Sequence, residues 1–185
     1  MEKLLNDTQF FKLLMRVDAD LAKTASLSGC DSCGGKLHCG DYPRLPRGSR
    51  WVRDKRFSFC CSKCRKRKTP PSVVFLGRKV YLGVVVVLVG AMMHGLHAKR
   101  VERLRQVLGI DEHTLIRWRE WWRETFVASP FWKGARGRFS PVLDDARMPL
   151  SLVEVFQGEV AENMVRLLVF LAPITVGAFP GGGAM

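Results

Sequence analysis

The chain has 185 residues, of which 47% are apolar, so it can bury a hydrophobic core and is not a disordered polymer. Lysine and arginine number 30 against 17 aspartates and glutamates, which gives a formal net charge of +13. This excess is too large for a surface that only keeps a protein soluble. It favours a polyanionic partner, with nucleic acid ahead of an anionic membrane.

The sequence has six cysteines, and whether they form disulfides or bind metal depends on the redox state of the compartment in which the protein works. Residues 1–20 contain no uninterrupted apolar stretch and no small-residue cleavage site, so no export signal is predicted. We therefore expect a cytoplasmic, nucleoid-associated protein. In a reducing compartment, paired Cys-x-x-Cys motifs indicate a metal site rather than disulfides.

Residues 1–27 are predicted to form an N-terminal amphipathic helix, running from about Asp7 to Ala25. Apolar side chains recur there at a spacing near 3.6 residues: Leu4, Leu5, Phe10, Phe11, Leu13, Leu14, Val17 and Leu21. The expected role is packing against the next segment or against a second copy of the chain.

Residues 28–71 are predicted to be a zinc ribbon built on two Cys-x-x-Cys knuckles. Cys30, Cys33, Cys61 and Cys64 supply four soft sulfur ligands, the set of a closed, structural tetrahedral Zn²⁺ site. Cys60 could replace Cys61, which would change the spacing to Cys64. We prefer Cys61, because Phe59 then lies two residues before the ligand on the packed face of a strand.

Three further features belong to this ribbon. Cys39 is left over, and a lone loop histidine such as His38 is more often polar surface than a ligand. Basic residues crowd the ribbon, and on a rigid knuckle they favour contact with phosphates over plain solvation. Those predicted to contact nucleic acid are Arg44, Arg47, Arg50, Arg65, Lys66, Arg67 and Lys68.

Residues 72–126 are predicted to contain a helix-turn-helix. Ala98–Gly109 has a helical apolar pattern that ends at a glycine, Asp111 is a good N-cap, and a second helix is expected over about Asp111–Phe126. The apolar run Val80–Met93 is too short to cross a bilayer and is expected to be a buried helix or strand. As a helix it would cover the pair, although its valines are poor helix formers. A plain helical hairpin without a role on DNA is the alternative.

In this geometry the second helix lies in the major groove of DNA. Its outward residues include His113, Thr114 and Arg117, and Arg117 can read guanine through O6 and N7. Arg119 and Arg123 are expected to contact phosphates.

The remaining chain is predicted to be a linker over residues 127–149, rich in proline, glycine and arginine, followed by a C-terminal segment over 150–185. That segment is apolar and helix-like, is broken or bent near Gly158, and ends in a loose tail. We expect it to serve packing or self-association. The predicted fold class is thus mainly α with a small β zinc ribbon.

No enzyme is expected. A nuclease or transposase needs spaced carboxylates that hold two metal ions, whereas Asp144 and Asp145 lie in the predicted linker and three glutamates lie on one late segment. Neither a glycine-rich phosphate loop nor a nucleophile elbow occurs. A zinc ion with four cysteine ligands has no open position for chemistry.

A zinc ribbon followed directly by a helix-turn-helix resembles the DNA-binding front end of bacterial insertion-sequence transposases and the small regulatory proteins that some of these elements encode. The four knuckle cysteines and the stretch LRQVLGIDEHTLIRW (Leu104–Trp118) carry this resemblance. The stretch RFSFCCSKCRKRKTPPSVVFLGRKVYL also resembles uncharacterised bacterial proteins associated with mobile elements. The resemblance implies terminal-repeat or promoter DNA as the target. No counterpart of a transposase catalytic domain occurs, which implies binding rather than cleavage.

The predicted function is zinc-dependent, sequence-specific binding of double-stranded DNA for a mobile element. The protein would act as a regulator or as an accessory factor of a transposase or recombinase, without a membrane partner, and its C-terminal segment would serve either packing or the formation of a homo-oligomer. The alternative is a non-catalytic adaptor that grips RNA or an RNA–DNA duplex in a larger complex. A nuclease subunit is a third and weaker hypothesis.

Overall fold

A computed structural model describes residues 4, 7–44, 54–76, 83–92, 102 and 110–176 of the chain. Within these residues the protein is mainly helical and carries two small antiparallel sheets. The predicted coarse fold class is therefore confirmed. The first helix of the predicted helix-turn-helix, Ala98–Gly109, lies outside the described residues except for Glu102, so the motif itself stays a prediction.

Helix α1 (Thr8–Leu27) confirms the predicted N-terminal helix and extends it by two residues. Asp7 caps it, because its carboxylate accepts hydrogen bonds from the backbone N–H groups of Gln9 and Phe10 at 2.8 and 3.1 Å. The buried positions follow the helical period and form one stripe along the whole helix. They are Phe10, Phe11, Leu14, Asp18, Ala22 and Ala25.

The ribbon contains five short strands: β1 (Leu37–Cys39), β2 (Tyr42–Arg44), β3 (Asp54–Arg56), β4 (Phe59–Cys61) and β5 (Arg67–Lys68). Strands β1, β4 and β5 form a three-stranded antiparallel sheet with β4 in the centre, and β2 pairs with β3.

The register of the larger sheet decides which residues share a face. Leu37 lies opposite Cys61, and His38 lies opposite Cys60. Leu37 and Cys61 are buried, whereas His38 is exposed. The sheet therefore has one packed face and one face toward solvent.

Five helices follow α1 among the described residues. They are α2 (Gly83–Met92), α3 (Glu112–Glu120), α4 (Pro130–Ala135), α5 (Leu150–Val155) and α6 (Val160–Leu171). A π-helix (Trp121–Phe126) continues α3 directly, and short 3₁₀ turns occur at Arg136–Arg138, Asp145–Arg147 and Ala172–Thr175.

The described residues form two hydrophobic cores, and helix α2 lies at the centre of the larger one. Its residues Val85 to Val89 are all at most 2% exposed, so the helix is covered on every side, as expected for a segment that is apolar all round. It packs against α3, α5 and α6. The helix predicted within Val80–Met93 is confirmed over Gly83–Met92, and it is buried at Gly83 and at Val85 to Val89. Among the described residues, no helix combines the length and the apolar character needed to span a bilayer.

Residues 127–149 differ from the predicted linker. Helix α4 buries Trp132 completely, and the indole Nε1 donates a hydrogen bond to Asp145 Oδ1 at 2.8 Å. Met148 is 1% exposed at the end of this segment. The proline, glycine and arginine content marks the turns correctly, but two buried side chains hold the segment on the core.

The apolar, helix-like segment predicted from residue 150 is confirmed as far as residue 176, and the predicted tail lies outside the described residues. Helices α5 and α6 form a pair that is interrupted at Gly158, whose φ of +125° lies in a region open mainly to glycine. Leu152 of α5 and Leu167, Leu168 and Leu171 of α6 are buried in the core.

Candidate metal centre

The first knuckle begins at Cys30 and closes through two backbone hydrogen bonds. Gly34 N donates to Cys30 O at 2.8 Å, and Cys30 N donates to Gly35 O at 3.0 Å. Gly34 has a φ of +65°, which places it in the left-handed region that glycine enters without strain. The sequence Cys-x-x-Cys-Gly-Gly thus folds into a tight turn with both sulfurs on the same side.

The second knuckle repeats this turn at Cys61. Arg65 N donates to Cys61 O at 3.2 Å, and Cys61 N donates to Lys66 O at 3.0 Å. Arg65 occupies the position of Gly34 and has a φ of +59° despite its side chain. A non-glycine residue in this region indicates that the surrounding turn dictates the backbone conformation.

The two knuckles bring four sulfur atoms together. Cys30 Sγ lies 3.5 Å from Cys64 Sγ, and Cys33 Sγ lies 3.5 Å from Cys61 Sγ, so each short distance joins one knuckle to the other. All four sulfurs lie within 4.8 Å of one another. A disulfide needs about 2.05 Å, so the four residues are free thiols. Sulfurs that surround one ion at about 2.3 Å would be about 3.8 Å apart.

The absence of a side chain at Gly35 leaves space for the sulfur atoms. A Cβ atom at this position would lie 2.9 Å from Cys61 Sγ and 3.3 Å from Cys33 Sγ. The first distance is too short for a real contact, so the backbone approaches the sulfur cluster as closely as it does because residue 35 has no side chain.

The electrostatics of the cluster favour a cation. The N–H of Ser32 lowers the pKa of Cys30, and the N–H of Cys64 lowers the pKa of Cys61 to about 6. For Cys64 the N–H of Lys66 acts in the same direction, but burial and the three neighbouring sulfurs outweigh it and raise the pKa to about 12. Four thiolates at these distances repel one another, and a divalent metal ion would remove that repulsion.

The four cysteines therefore fit a metal ion by distance, by geometry and by the chemistry of the donor set. Of the two adjacent cysteines, Cys61 belongs to the cluster and Cys60 does not. Cys60 Sγ instead donates to Arg65 O at 3.5 Å, and His38 and Cys39 are exposed outside the cluster.

The predicted basic contacts of the ribbon divide into three groups. Arg65, Lys66 and Arg67 are exposed. Lys68 is committed within the ribbon, because its Nζ donates to Ser28 Oγ, Gly29 O and Asp31 Oδ1 at 2.8, 3.0 and 2.6 Å. Arg47, Arg50 and the side chain of Arg44 lie outside the described part of the structure.

Two further exposed cations of the ribbon are not among the nucleic-acid contacts predicted from sequence. Lys36 follows Gly35 directly and Lys63 precedes Cys64, and both side chains are exposed. Their signal in the sequence is their adjacency to the knuckles, since a residue that flanks a ligand in a tight turn is held in place by that turn.

In the second helix of the predicted helix-turn-helix, most residues are buried or exposed as the sequence predicts. Leu115, Trp118, Trp122 and Phe126 are buried. At the surface lie His113, Arg117, Arg119 and Arg123.

Thr114 is a correction. Its side chain is 2% exposed, so it does not face outward, and its hydroxyl donates to Asp111 Oδ2 at 2.7 Å. Thr114 lies four residues before the buried Trp118 and so shares its face of the helix.

Comparison of the chain with protein-family models, with curated proteins and with solved structures finds no match.

Proposed function

We propose that this protein is a zinc-dependent, double-stranded DNA-binding protein in which the ribbon grips the phosphate backbone. The observation that carries the proposal is the distribution of positive charge along the chain. Residues 28–71 contain twelve lysines and arginines against three aspartates, whereas residues 110–176 contain eight basic and nine acidic residues. The excess positive charge is thus concentrated on the segment that the knuckles organise.

Zinc is the metal we assign to the cysteine cluster. Four thiolates in a closed tetrahedral set suit Zn²⁺ and leave no position for a substrate or a reacting water, which makes the role structural. When bound, the ion supplies two positive charges and links the two knuckles, while every contact with DNA comes from the side chains of the chain.

The exposed cations beside the knuckles are suited to phosphates. Lys36 and Lys63 flank the cysteine turns, and Arg65, Lys66 and Arg67 follow the second turn directly. Because the backbone of these residues belongs to one small unit closed by the knuckle turns, binding DNA costs side-chain rotamer entropy but little backbone entropy. Contacts of this kind fix position and carry no sequence information.

Sequence reading is assigned to α3. The helix packs against α2 on its buried side and presents Arg117 on its exposed side, as a recognition helix would. With the resemblance to mobile-element proteins, this supports the narrower proposal of a regulator or an accessory factor for a transposase or recombinase.

The second candidate is an adaptor that grips RNA or an RNA–DNA duplex without reading its sequence. The balanced charge of residues 110–176 favours it, because a protein that only grips needs no second basic surface. The two candidates differ in their preference among duplexes.

The test measures binding as a function of salt to three 20-base-pair duplexes of matched sequence, made of DNA, RNA and an RNA–DNA hybrid. Each phosphate contact makes the slope of log K against log salt more negative by about 0.9 on DNA, so the five exposed ribbon cations alone predict a slope of about −4 to −5. Phosphate contacts by Arg119 and Arg123 would make it steeper. Preference for duplex DNA, combined with a best sequence selected from a random pool, supports the first candidate. Equal binding of all three duplexes supports the second, and no salt-sensitive binding to any of them refutes both.

The metal assignment is tested on Cys33→Ala and Cys64→Ala, with Cys39→Ala as the matched control outside the cluster. We expect one zinc ion per chain in the control and loss of the ion with unfolding of the ribbon in the two ligand variants, because metal binding and folding are coupled in such sites. One zinc ion per chain and unchanged stability in either ligand variant would show that the ligand set is wrong. Elemental analysis and circular dichroism provide the two measurements.

A further inference from the structure

The exposed Arg117 of α3 is held by a chain of hydrogen bonds that begins at the helix cap. Asp111 accepts from Thr114 N at 2.9 Å and from the Thr114 hydroxyl at 2.7 Å. The same hydroxyl accepts from Arg117 Nη2 at 2.9 Å. A hydroxyl has one donor and two acceptor positions, so both of its bonds can form at once.

A second bond fixes the other end of the guanidinium. Arg117 Nε donates to His113 O at 3.3 Å, one helical turn earlier. Two of the five guanidinium N–H groups are therefore used on the side that faces the helix. The other three, two on Nη1 and one on Nη2, have no hydrogen-bond partner among the described residues and form the outer edge of the group.

That outer edge has the shape needed to read guanine. One N–H from each terminal nitrogen can donate to O6 and N7 of the base in an end-on, bidentate contact. Arginine normally loses rotamer freedom when it makes such a contact. Here the Thr114 hydroxyl and the His113 carbonyl already restrict the guanidinium before DNA is present.

We propose that Asp111 and Thr114 are positioning residues that pre-orient Arg117 as a guanine-reading side chain. Thr114 does not touch DNA. Its hydroxyl connects the guanidinium to the helix cap, because it donates to Asp111 and accepts from Arg117. The lowered pKa of Asp111, caused first by the hydrogen bond from the Thr114 side chain and then by the Thr114 N–H, keeps the start of this chain ionised at neutral pH. The proposal deepens the proposed function and rests on it.

The variants separate the hydroxyl from the rest of the side chain. Thr114→Val keeps the buried shape and removes both hydroxyl bonds, whereas Thr114→Ser keeps the hydroxyl and removes a methyl group. Arg117→Ala removes the reading group itself. Asp111→Asn retains a capping oxygen but loses one carboxylate acceptor, and it serves as a second route to the same effect if Thr114→Val does not fold.

The readout is discrimination at one base. The best duplex from a random pool is scanned with 7-deazaguanine, which lacks the N7 acceptor, to find the guanine whose replacement weakens wild-type binding but not binding by Arg117→Ala. A good bidentate contact discriminates by about 5- to 150-fold. We expect Thr114→Val and Asp111→Asn to lose most of that ratio and Thr114→Ser to retain it, while binding to a non-specific duplex stays within about twofold.

Three results would overturn the proposal. The first is full discrimination in Thr114→Val and in Asp111→Asn when Arg117→Ala has lost it. The second is a loss of discrimination in Thr114→Ser as large as in Thr114→Val, which would show that packing rather than the hydroxyl matters. The third is the absence of any guanine that depends on Arg117. Failure of the proposed function gives a different result, since wild-type protein would then show no salt-sensitive duplex binding at all.

Discussion

At the scale of single residues, Gly35 is where the metal centre is most sensitive to a side chain. Gly35→Ala places a Cβ 2.9 Å from Cys61 Sγ, so either the turn or the sulfur must move. Overpacking of this kind costs about 1–3 kcal/mol. We expect zinc affinity to fall by about 5- to 150-fold, because displaced sulfur no longer completes the tetrahedron.

Competition with a chromophoric chelator measures this affinity. Gly134→Ala is the matched control, since the same Cβ at that position in α4 meets no atom within 4 Å. Equal zinc affinity in the Gly35→Ala variant and the control would contradict the close approach of backbone and sulfur.

Asp18 is the second residue whose position leads to a prediction. Its buried carboxylate accepts from Ser72 Oγ at 2.5 Å and from Val73 N at 2.6 Å, and so joins α1 to the segment that follows the ribbon. Burial raises the pKa of Asp18 above its ordinary value of 3.8, although the bonds from Ser72 and Val73 and the nearby Arg56 charge act in the opposite direction.

A raised pKa in the folded state gives a stability contribution that is complete below pH 3.8 and is lost as pH rises through the folded pKa. Asn at this position cannot titrate. We therefore expect the stability advantage of wild type over Asp18→Asn to be larger at pH 4 than at pH 7, because only the wild-type side chain titrates between these two values. Urea unfolding at the two pH values measures it. An advantage that grows toward pH 7 would mean that the ionised carboxylate is the better-bound form.

At the scale of elements, the knuckles and the helix that follows Asp111 could be predicted from sequence, whereas the burial of Thr114 and the packing of residues 127–149 on the core could not. A Cys-x-x-Cys turn is local, so the spacing of Cys30 and Cys33 already places both sulfurs on one side. The sequence places Thr114 at the surface because a polar side chain is normally exposed, whereas the structure buries it beside Leu115 and Trp118 with its hydroxyl bonded to Asp111. Trp132 was missed because a single buried aromatic side chain has no periodicity that a sequence can reveal.

The two adjacent cations of strand β5 differ in their exposure and in their hydrogen bonds. Arg67 is exposed, whereas the side chain of Lys68 is 18% exposed and bonds to the first knuckle through Gly29 and Asp31. We expect Arg67→Ala to weaken binding to all DNA sequences alike and to reduce the salt slope by about 1 without loss of stability.

Lys68→Ala should behave in the opposite way. It removes bonds that join β5 to the first knuckle and should lower the stability of the ribbon by about 1–2 kcal/mol, with little change in the salt slope. Thermal unfolding and salt titration of both variants give the comparison. Identical profiles of the two variants would show that the structure assigns these side chains to the wrong roles.

At the scale of the whole molecule, α1 is shared by two cores. Phe10, Phe11 and Leu14 belong to the large core around α2, whereas Ala22 and Ala25 pack in a small core with Cys30, Leu37, Phe59 and Cys61. The small core contains two of the proposed metal ligands and little other apolar surface. Its stability therefore depends on the metal ion far more than that of the large core does.

Removal of zinc should accordingly unfold one end of α1 and leave the other end in place. Hydrogen exchange is the suitable measurement, because it reports opening residue by residue. In the metal-free protein we expect the amides of Ala22 to Leu27 to lose protection together with those of β1 and β4. The amides of Phe11 to Leu14 and of α6 should keep theirs, since the large core contains no ligand.

Cys39→Ala, treated with chelator and then resupplied with zinc, controls for damage during metal removal and should regain the full protection pattern. Uniform loss of protection along α1 and α6 would show that the two cores unfold as one unit. Unchanged protection at Ala25 and Leu37 would show that the ribbon is held by its packing alone. In the expected case, the segment with most of the positive charge is ordered only when zinc is bound, so DNA binding depends on zinc although no ligand sulfur contacts DNA.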